Sequence, residues 1–300
     1  MTDAFGLLLF AVAGLTSFAA LANEAPASSP SVDEIVRRLA SNEKALESLQ
    51  ATYLCIDAFN YVKPGTELPR GNMIEDDAVS MTRRGEVTWE MTSSGQGRTE
   101  AHFQITNVRV DGERIVREWI YNSVFDGTSG RYRITSSRSD DSPPSVQRGV
   151  TETLRGATSS PFDITTQHLG TPISKLLVDG KANVVSSDVW EDRPVAVLEV
   201  QPIVKPKYAS QLRFWIDHER GTVVRRQTFM RYGEDGPWAL HYQADARQFS
   251  EHFPGVWLPE MVDISNYVVT RAGQEFLSVK EHYKVSNWIV NAKIDPARFE

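Results

Sequence analysis

The sequence is poor in cysteine: Cys55 is the only one in 300 residues. No disulfide can form within the chain, so its stability must come from the burial of apolar side chains. Alternation along residues 52–62 places Cys55 on one strand face with Tyr53, Phe59 and Tyr61. This position predicts a buried, unreactive thiol.

Positive charge is not in excess either. The chain has 32 Lys and Arg against 39 Asp and Glu, a net charge of −7, and its basic residues are dispersed. A nucleic-acid-binding surface requires a basic patch or stripe. We therefore expect no nucleic acid among the partners.

Motifs of known catalytic chemistry are missing as well. The sequence has no G-x-S-x-G elbow, H-E-x-x-H pair, P-loop or complete dinucleotide fingerprint. A hydrolase would need a converging polar triad that the sequence does not display. His241, His252 and His282 with Asp245 are the one combination that could form a metal site on neighbouring strands, and scattered structural histidines explain them better. The prediction is a protein that is not an enzyme and has no cofactor or metal.

The first 22 residues resemble a secretory signal. An apolar run from Leu7 to Ala22 ends in Ala20, Leu21 and Ala22, a small-residue pattern suited to cleavage after Ala22. We predict a signal peptide at 1–22, a linker at 23–30, one domain at 31–300, and a soluble periplasmic product. Because no Lys or Arg precedes the apolar run, an uncleaved N-terminal membrane anchor is the alternative.

The mature chain shows two kinds of periodicity. Ser31 to Leu49 has an apolar stripe at helical spacing behind a capping-box pattern, Ser31 with Glu34. Short helical signals recur over 148–179 and end at Gly180. The remaining segments alternate with a period of two and are separated by turn residues, which predicts strands. The main strand predictions are 52–62, 78–84, 86–93, 101–110, 114–125, 131–137, 182–189, 195–203, four runs between 211 and 269, and 275–289.

Strands joined by such short turns must be antiparallel. In the first run after 211, Leu212, Phe214 and Ile216 share one face, which therefore needs cover from water. A doubly wound parallel fold is excluded because helices do not alternate with strands. The predicted fold class is mainly β with helices: a curved antiparallel half-barrel covered by an N-terminal helix and a mid-chain helical insertion.

The order of these elements resembles a known family. An N-terminal helix, a meander and a helical insertion, followed by the motif at 214–217 with Gly221 and then by 255–259, are similar to the LolA/LolB-like outer-membrane lipoprotein carriers. The resemblance spans roughly 31–299. It implies about eleven strands around an apolar hollow, lidded by helices, that accepts the acyl chains of lipoproteins in the periplasm. It also implies membrane-bound loading and receiving proteins as partners.

Other members of that family sense or scaffold lipoproteins. A protein-interaction or envelope-sensing module without cargo is therefore the alternative function. In the carriers an arginine on an early strand helps to hold the lid shut, but no motif here identifies the matching arginine.

Aromatic residues indicate where an apolar ligand would bind. The chain has 7 Trp, 9 Tyr and 13 Phe, and such side chains can line a pocket or pack an ordinary core. Two triplets alternate so that each would share one strand face. These predicted ligand-binding residues are Val87, Trp89 and Met91, and Trp238, Leu240 and Tyr242.

Overall fold

The computed structural model describes residues 30–60, 78–109, 111–138, 143–151, 167–168 and 171–299. The predicted signal peptide at 1–22, the linker up to residue 29 and residues 61–77 lie outside these ranges. In the described residues, fourteen strands form one antiparallel sheet and two short strands form a separate pair.

The sixteen strands have the following bounds: β1 Ser48–Asn60, β2 Ala78–Thr92, β3 Gly97–Arg109, β4 Arg114–Phe125, β5 Gly130–Arg138, β6 Ser145–Thr151, β7 Gln167–His168, β8 Thr171–Pro172, β9 Asn183–Trp190, β10 Arg193–Glu199, β11 Ile203–Lys205, β12 Tyr208–Asp217, β13 Thr222–Tyr232, β14 Ala239–Phe253, β15 Val256–Val269 and β16 Glu275–Val290. Across the large sheet their order is β6-β5-β4-β3-β2-β1-β16-β15-β14-β13-β12-β10-β9, with β11 beside β12. The smaller pair is β7 with β8.

Two α-helices occur in the described ranges, α1 (Val32–Ala45) and α2 (Ile173–Asp179). The predicted cap of α1 is confirmed, because the backbone N–H of Glu34 donates to the Ser31 hydroxyl. The helix ends at Ala45 rather than near Leu49, since β1 begins at Ser48. A 3-10 helix at Pro296–Phe299 follows the last strand.

Both helices cover the same face of the sheet. Ile35 and Leu39 of α1 and Ile173 of α2 join one buried cluster with Leu212, Phe214 and Ile216 of β12. Burial of each such side chain contributes about 1.5–3 kcal/mol relative to exposure. We call the face that α1 and α2 cover the inner face, and the opposite one the outer face. The shared inner face of Leu212, Phe214 and Ile216 is as predicted.

The sheet does not close into a barrel. Its two ends in the described residues are β6 and β9. Register shifts in seven of the strand pairings, such as those at Thr52/Tyr53 and Thr228/Phe229, add bends that curve it. The predicted class, a curved antiparallel half-barrel with helices on one face, is confirmed, whereas the expected number of about eleven strands was too low.

Two strand predictions were wrong. Residues 78–84 and 86–93 were expected to be separate strands around Gly85, but β2 runs through that glycine without interruption. The helical signals expected from residue 148 onward do not hold for 148–151, because residues 145–151 form β6 and pair with β5. In both places tertiary pairing overrides a local signal, because a ladder partner is available.

Gly85 is a glycine for reasons of space. A Cβ there would stand 2.0 Å from the carbonyl oxygen of His102 and 2.7 Å from the ring of Phe103, its partner on β3. Gly149 on β6 differs, because a Cβ there would meet only the outer end of the Tyr132 ring, at 2.3 Å. The first contact is with backbone, which cannot rotate away.

We therefore expect Gly85→Ala to destabilise the protein by about 1–3 kcal/mol, as overpacked sites do. Gly149→Ala should cost less, because the Tyr132 side chain can move. Urea denaturation of both variants measures the difference. Equal losses of stability would show that the backbone contact at Gly85 is not what constrains β2.

One carboxylate joins the two helices. Glu43 of α1 accepts hydrogen bonds from the backbone N–H of Ser174, at 3.0 Å from Oε1, and from the Ser174 hydroxyl. Burial raises the pKa of Glu43, and the Ser174 hydrogen bonds offset part of that effect. The Glu43 carboxyl group therefore binds its proton more tightly in the folded protein than in the unfolded chain.

Because the pKa of Glu43 is higher in the folded protein than in the unfolded chain, the free energy of unfolding falls as the pH rises from the unfolded-state pKa through the folded-state pKa. Glu43→Gln, which keeps an acceptor oxygen for Ser174, should remove this part of the pH dependence. Urea denaturation over a series of acidic to neutral pH values would show it. Glu34→Gln on the same helix is the control for loss of an acidic group, and an unchanged slope in Glu43→Gln would contradict the prediction.

Candidate functional site

A ladder of aromatic rings crosses the inner face. The ring centroids of Phe103 and Trp119 are 5.7 Å apart, those of Trp119 and Tyr121 5.6 Å, and those of Tyr121 and Tyr132 6.4 Å. The last two pairs are stacked, and the spacings are within the range in which aromatic pairs stabilise beyond simple burial. Strands β3, β4 and β5 thus contribute one continuous apolar surface, which we call the aromatic ladder.

The strand register explains how the ladder forms. Phe103 pairs with Trp119 across β3 and β4, and Tyr121 pairs with Ile134 across β4 and β5. Beyond it, Tyr132 faces Gly149 of β6. Because Gly149 has no side chain, the Tyr132 ring lies over its Cα, and the ladder reaches the last described strand of the sheet.

The first predicted triplet adjoins this ladder. Val87, Trp89 and Met91 all lie on the inner face of β2 and are buried. Val87 pairs with Ala101, which in turn pairs with Tyr121. The prediction that these three residues share a face, as part of one apolar surface, agrees with the structure, and their role in ligand binding stays a prediction.

The second predicted triplet is divided by a β-bulge. Leu240 pairs with Phe229, whereas Tyr242 pairs with Thr228, so one extra residue of β14 separates them. Tyr242 therefore lies on the inner face, where the Arg226 guanidinium stands 4.7 Å from its ring centroid. Leu240 lies on the outer face.

Trp238 precedes β14 and is 36% exposed. Its ring lies under the Arg231 guanidinium, 4.9 Å from the centroid. The shared face predicted for Trp238, Leu240 and Tyr242 is wrong, because a bulge reverses the alternation that the prediction assumed.

A buried ion pair adjoins the ladder on the side of β2. Arg83 Nη2 lies 3.1 Å from Glu281 Oε1, and the two side chains are only 3% and 10% exposed. The Tyr283 hydroxyl donates to the other carboxylate oxygen of Glu281 at 2.8 Å. The Arg83 guanidinium also stands 4.8 Å from the centroid of Phe103, the first ring of the ladder. A buried pair of charges thus lies directly beside the aromatic rings of the ladder.

Cys55 is fully buried next to this pair, as predicted. Its sulfur lies 4.0 Å from Arg83 Nη2. The neighbouring rings of Tyr53 and Tyr283 meet edge to face at 5.5 Å. The thiol fills space in the core beside the charged group.

The histidines that could have formed a metal site make separate contacts. His282 Nδ1 is 2.6 Å from Asp263, His241 contacts the Tyr267 carbonyl oxygen, and His252 meets the Trp288 ring. Within the described ranges, no three His, Cys, Asp or Glu side chains form a group that could hold a metal ion.

In the same ranges, none of the helices has the length and apolar character that a membrane span requires.

Sequence reasoning did not single out Phe103, Tyr121 or Tyr132. A usable signal was present, because Asp111 with Gly112 and Asp126 with Gly127 mark hairpin turns. A turn of known length sets the register of its two strands. Counting residues outward from the turn at Asp111 and Gly112 pairs Phe103 with Trp119. Counting in the same way from the turn at Asp126 and Gly127 places Tyr132 on the face of Tyr121.

Comparison with known proteins gives solved structures only, since no family model and no curated protein matches the chain. A domain from Vibrio parahaemolyticus, described as a candidate outer membrane lipoprotein-sorting protein, is 12% identical, with 90% of this chain and 95% of that chain covered and a TM-score of 0.45. A β-barrel-like protein from Brucella abortus, of a domain of unknown function, is 14% identical, with coverages of 83% and 99% and a TM-score of 0.29.

The MucA/MucB complex of Pseudomonas aeruginosa also contains a similar chain, 12% identical, with coverages of 87% and 99% and a TM-score of 0.21. The description of the Vibrio domain names the class of protein that the sequence resembles. With TM-scores below 0.5, these similarities leave the function of the inner face to be argued from its own residues.

Removal of one partner of the buried ion pair should be costly. We expect Arg83→Met to destabilise the protein by about 3–5 kcal/mol, because Glu281 would remain as a buried charge. The double variant Arg83→Met/Glu281→Leu should recover much of that loss. Lys175→Met, at the exposed pair with Asp179, should cost less than about 1 kcal/mol. A double-mutant cycle by chemical denaturation measures the coupling, and additive losses would contradict it.

Proposed function

We propose that the protein is a periplasmic carrier or receptor that binds the acyl chains of lipoproteins, or another lipid, on its inner face. Its role is binding rather than catalysis. The proposal rests chiefly on the aromatic ladder, because it is a continuous apolar surface on the face that also receives the helices.

Stacked rings suit an acyl chain. Phe103, Trp119, Tyr121 and Tyr132 succeed one another across three strands, and each methylene buried against such a surface contributes about 0.8 kcal/mol before ordering costs. A side chain that ends in a hydroxyl, as in Tyr121 or Tyr132, also leaves a polar group for the head of a lipid. The ladder therefore favours a long, flexible apolar ligand over a compact one.

The position of the helices supports reversible binding. α1 and α2 pack with β10, β12 and β13, whereas the aromatic ladder belongs to β3, β4 and β5. Among the described helices, α1 meets the cluster that contains the ladder at its C-terminal end, Ala45, and the 3-10 helix at Pro296–Phe299 lies next to β3. Phe103, Trp119 and Tyr121 are at most 7% exposed, so a ligand would have to displace what now covers these rings. It would not have to displace the helix-covered core of β10, β12 and β13.

A protein-interaction module without cargo is the second candidate, and β9 favours it. No described strand pairs with the free edge of β9, and Val185 and Val189 on that strand are 49% and 65% exposed. An extended segment of a partner protein could add to such an edge by main-chain hydrogen bonds.

The two candidates differ in what the purified protein contains. We expect the protein, exported with its own leader and recovered from the periplasm, to carry lipid or acylated peptide in stoichiometric amount, as measured by lipid mass spectrometry after extraction. A lipid-free protein that also fails to bind a soluble apolar fluorescent probe would instead support the interaction module.

Substitutions within β4 locate the binding surface. Tyr121→Glu places a charge on the inner face, where two or three methylene groups of the probe would otherwise be buried. Loss of that burial should weaken probe binding about tenfold or more. Ile120→Glu is the matched control, because Ile120 is the adjacent residue, lies on the outer face and is 40% exposed. It should bind the probe like the unchanged protein.

Tyr132→Glu provides a second test at a half-buried ring, where a folded variant is easier to obtain. Thermal unfolding of each variant checks that the fold persists. If Tyr121→Glu and Tyr132→Glu both fold and keep full probe affinity, the aromatic ladder is not the binding surface.

A further inference from the structure

The outer face of β5 and β6 carries arginines that face each other. Arg133 and Arg148 are a direct cross-strand pair, and both are exposed. Like charges in this arrangement destabilise a sheet. Within the part of the chain that the structure describes, neither side chain forms an ion pair. An anionic partner would relieve this repulsion.

Apolar side chains flank the two arginines on the same face. Val146 and Val150 alternate with Arg148 along β6 and are 49% and 76% exposed. Arg131 of β5 pairs with Val150 and has the Asp126 carboxylate in its surroundings. We call Arg131, Arg133, Val146, Arg148 and Val150 the β5–β6 patch.

The patch borders a shallow depression of about 630 Å³, lined also by Asn122 and Val124 of β4. This volume is within the range of small-molecule sites. Asn122 pairs with Arg133 and Val124 with Arg131, so the strand next to the patch places no carboxylate opposite either arginine. The concentration of positive charge is unusual in a chain whose net charge is −7.

We propose that the β5–β6 patch docks the protein on an anionic lipid bilayer. Its arginines would contact the phosphate groups of the lipids, and its valines would enter the interface between head groups and acyl chains. An acidic protein could satisfy the arginines alone. The exposed valines on either side of Arg148, beside a depression that is shallow and open, favour a lipid surface.

The location of the patch fits transfer of lipid. The aromatic ladder reaches β5 and β6 from the inner face, at Tyr132 and Gly149, while the patch occupies the outer face of those same strands. A protein docked there would hold the open end of its sheet next to the bilayer. This inference extends the proposed function, but docking and inner-face binding are separate properties and can fail separately.

Vesicle binding tests the proposal. The protein exported with its own leader should sediment with vesicles of phosphatidylglycerol and phosphatidylcholine, and much less with phosphatidylcholine alone. Each arginine near such a surface adds about fivefold to the partition coefficient, so Arg133→Gln/Arg148→Gln should lower it about 25-fold. Added salt should weaken binding by the unchanged protein.

The control variant is Arg37→Gln/Arg271→Gln, which removes two exposed arginines elsewhere and changes the net charge equally. It should bind vesicles nearly as well as the unchanged protein. Val150→Asp tests the apolar component and should also reduce binding. Because Arg133→Gln/Arg148→Gln removes a repulsive pair, its melting temperature should be equal or higher, so a loss of binding would not reflect unfolding.

Three results would overturn the proposal: equal binding to both kinds of vesicle, full binding by Arg133→Gln/Arg148→Gln, or an equal loss in the control variant. If Arg133→Gln/Arg148→Gln lost binding to a poly-glutamate peptide but bound vesicles like the unchanged protein, the patch would be assigned to an acidic protein instead. Probe binding by Arg133→Gln/Arg148→Gln should be normal, whereas Tyr121→Glu should lose the probe and keep the vesicles. These opposite patterns separate failure of docking from failure of the proposed function.

Discussion

Burial of one face of an open, curved sheet is the constraint on which the other features depend. A strand places alternate side chains on opposite faces, so a sheet with a continuous apolar face must cover it with other elements. α1 and α2 meet this need for β10, β12 and β13 through Ile35, Leu39 and Ile173. Farther along the same face, the aromatic rings of β3, β4 and β5 pack against one another. The sheet therefore combines a helix-covered core with an aromatic surface.

The buried pair of charges beside this surface needs a physical explanation. Arg83 and Glu281 come from β2 and β16, which flank β1 on either side. Desolvation of two such charges is costly, and their attraction repays it only when further hydrogen bonds complete the geometry. Tyr283 supplies one of those bonds, and the Phe103 ring stabilises the guanidinium from its face. The pair fixes the lateral position of three strands where the aromatic ladder begins.

Glycines adapt the sheet to its aromatic residues. Gly85 leaves space for Phe103 beside the ion pair, and Gly149 leaves space for Tyr132 at the other end of the ladder. A glycine in a strand usually signals an interruption. Here both glycines lie within continuous strands, because the neighbouring strand occupies the volume that a side chain would take: the His102 carbonyl oxygen and the Phe103 ring at Gly85, and the Tyr132 ring at Gly149.

Much of the fold was predictable from local patterns. The cap of α1, the antiparallel order after residue 211 and the shared face of Leu212, Phe214 and Ile216 follow from periodicity and turn residues. The candidate site was predictable only in part. Val87, Trp89 and Met91 alternate without interruption, so their common face was evident. The bulge between Leu240 and Tyr242 reversed the alternation in the second triplet, and no residue there announces it.

The sequence by itself determined most of the strands, which residues within most of them share a face, and that one face must be covered. Only the tertiary structure decided that β6 exists, that Arg83 meets Glu281, and that rings from three strands form one ladder. Local patterns extend over a few residues, whereas these contacts join residues brought together by strand register, as Arg83 and Glu281 are across β1. Register and bulges depend on the packing of the whole sheet, which a local pattern does not contain.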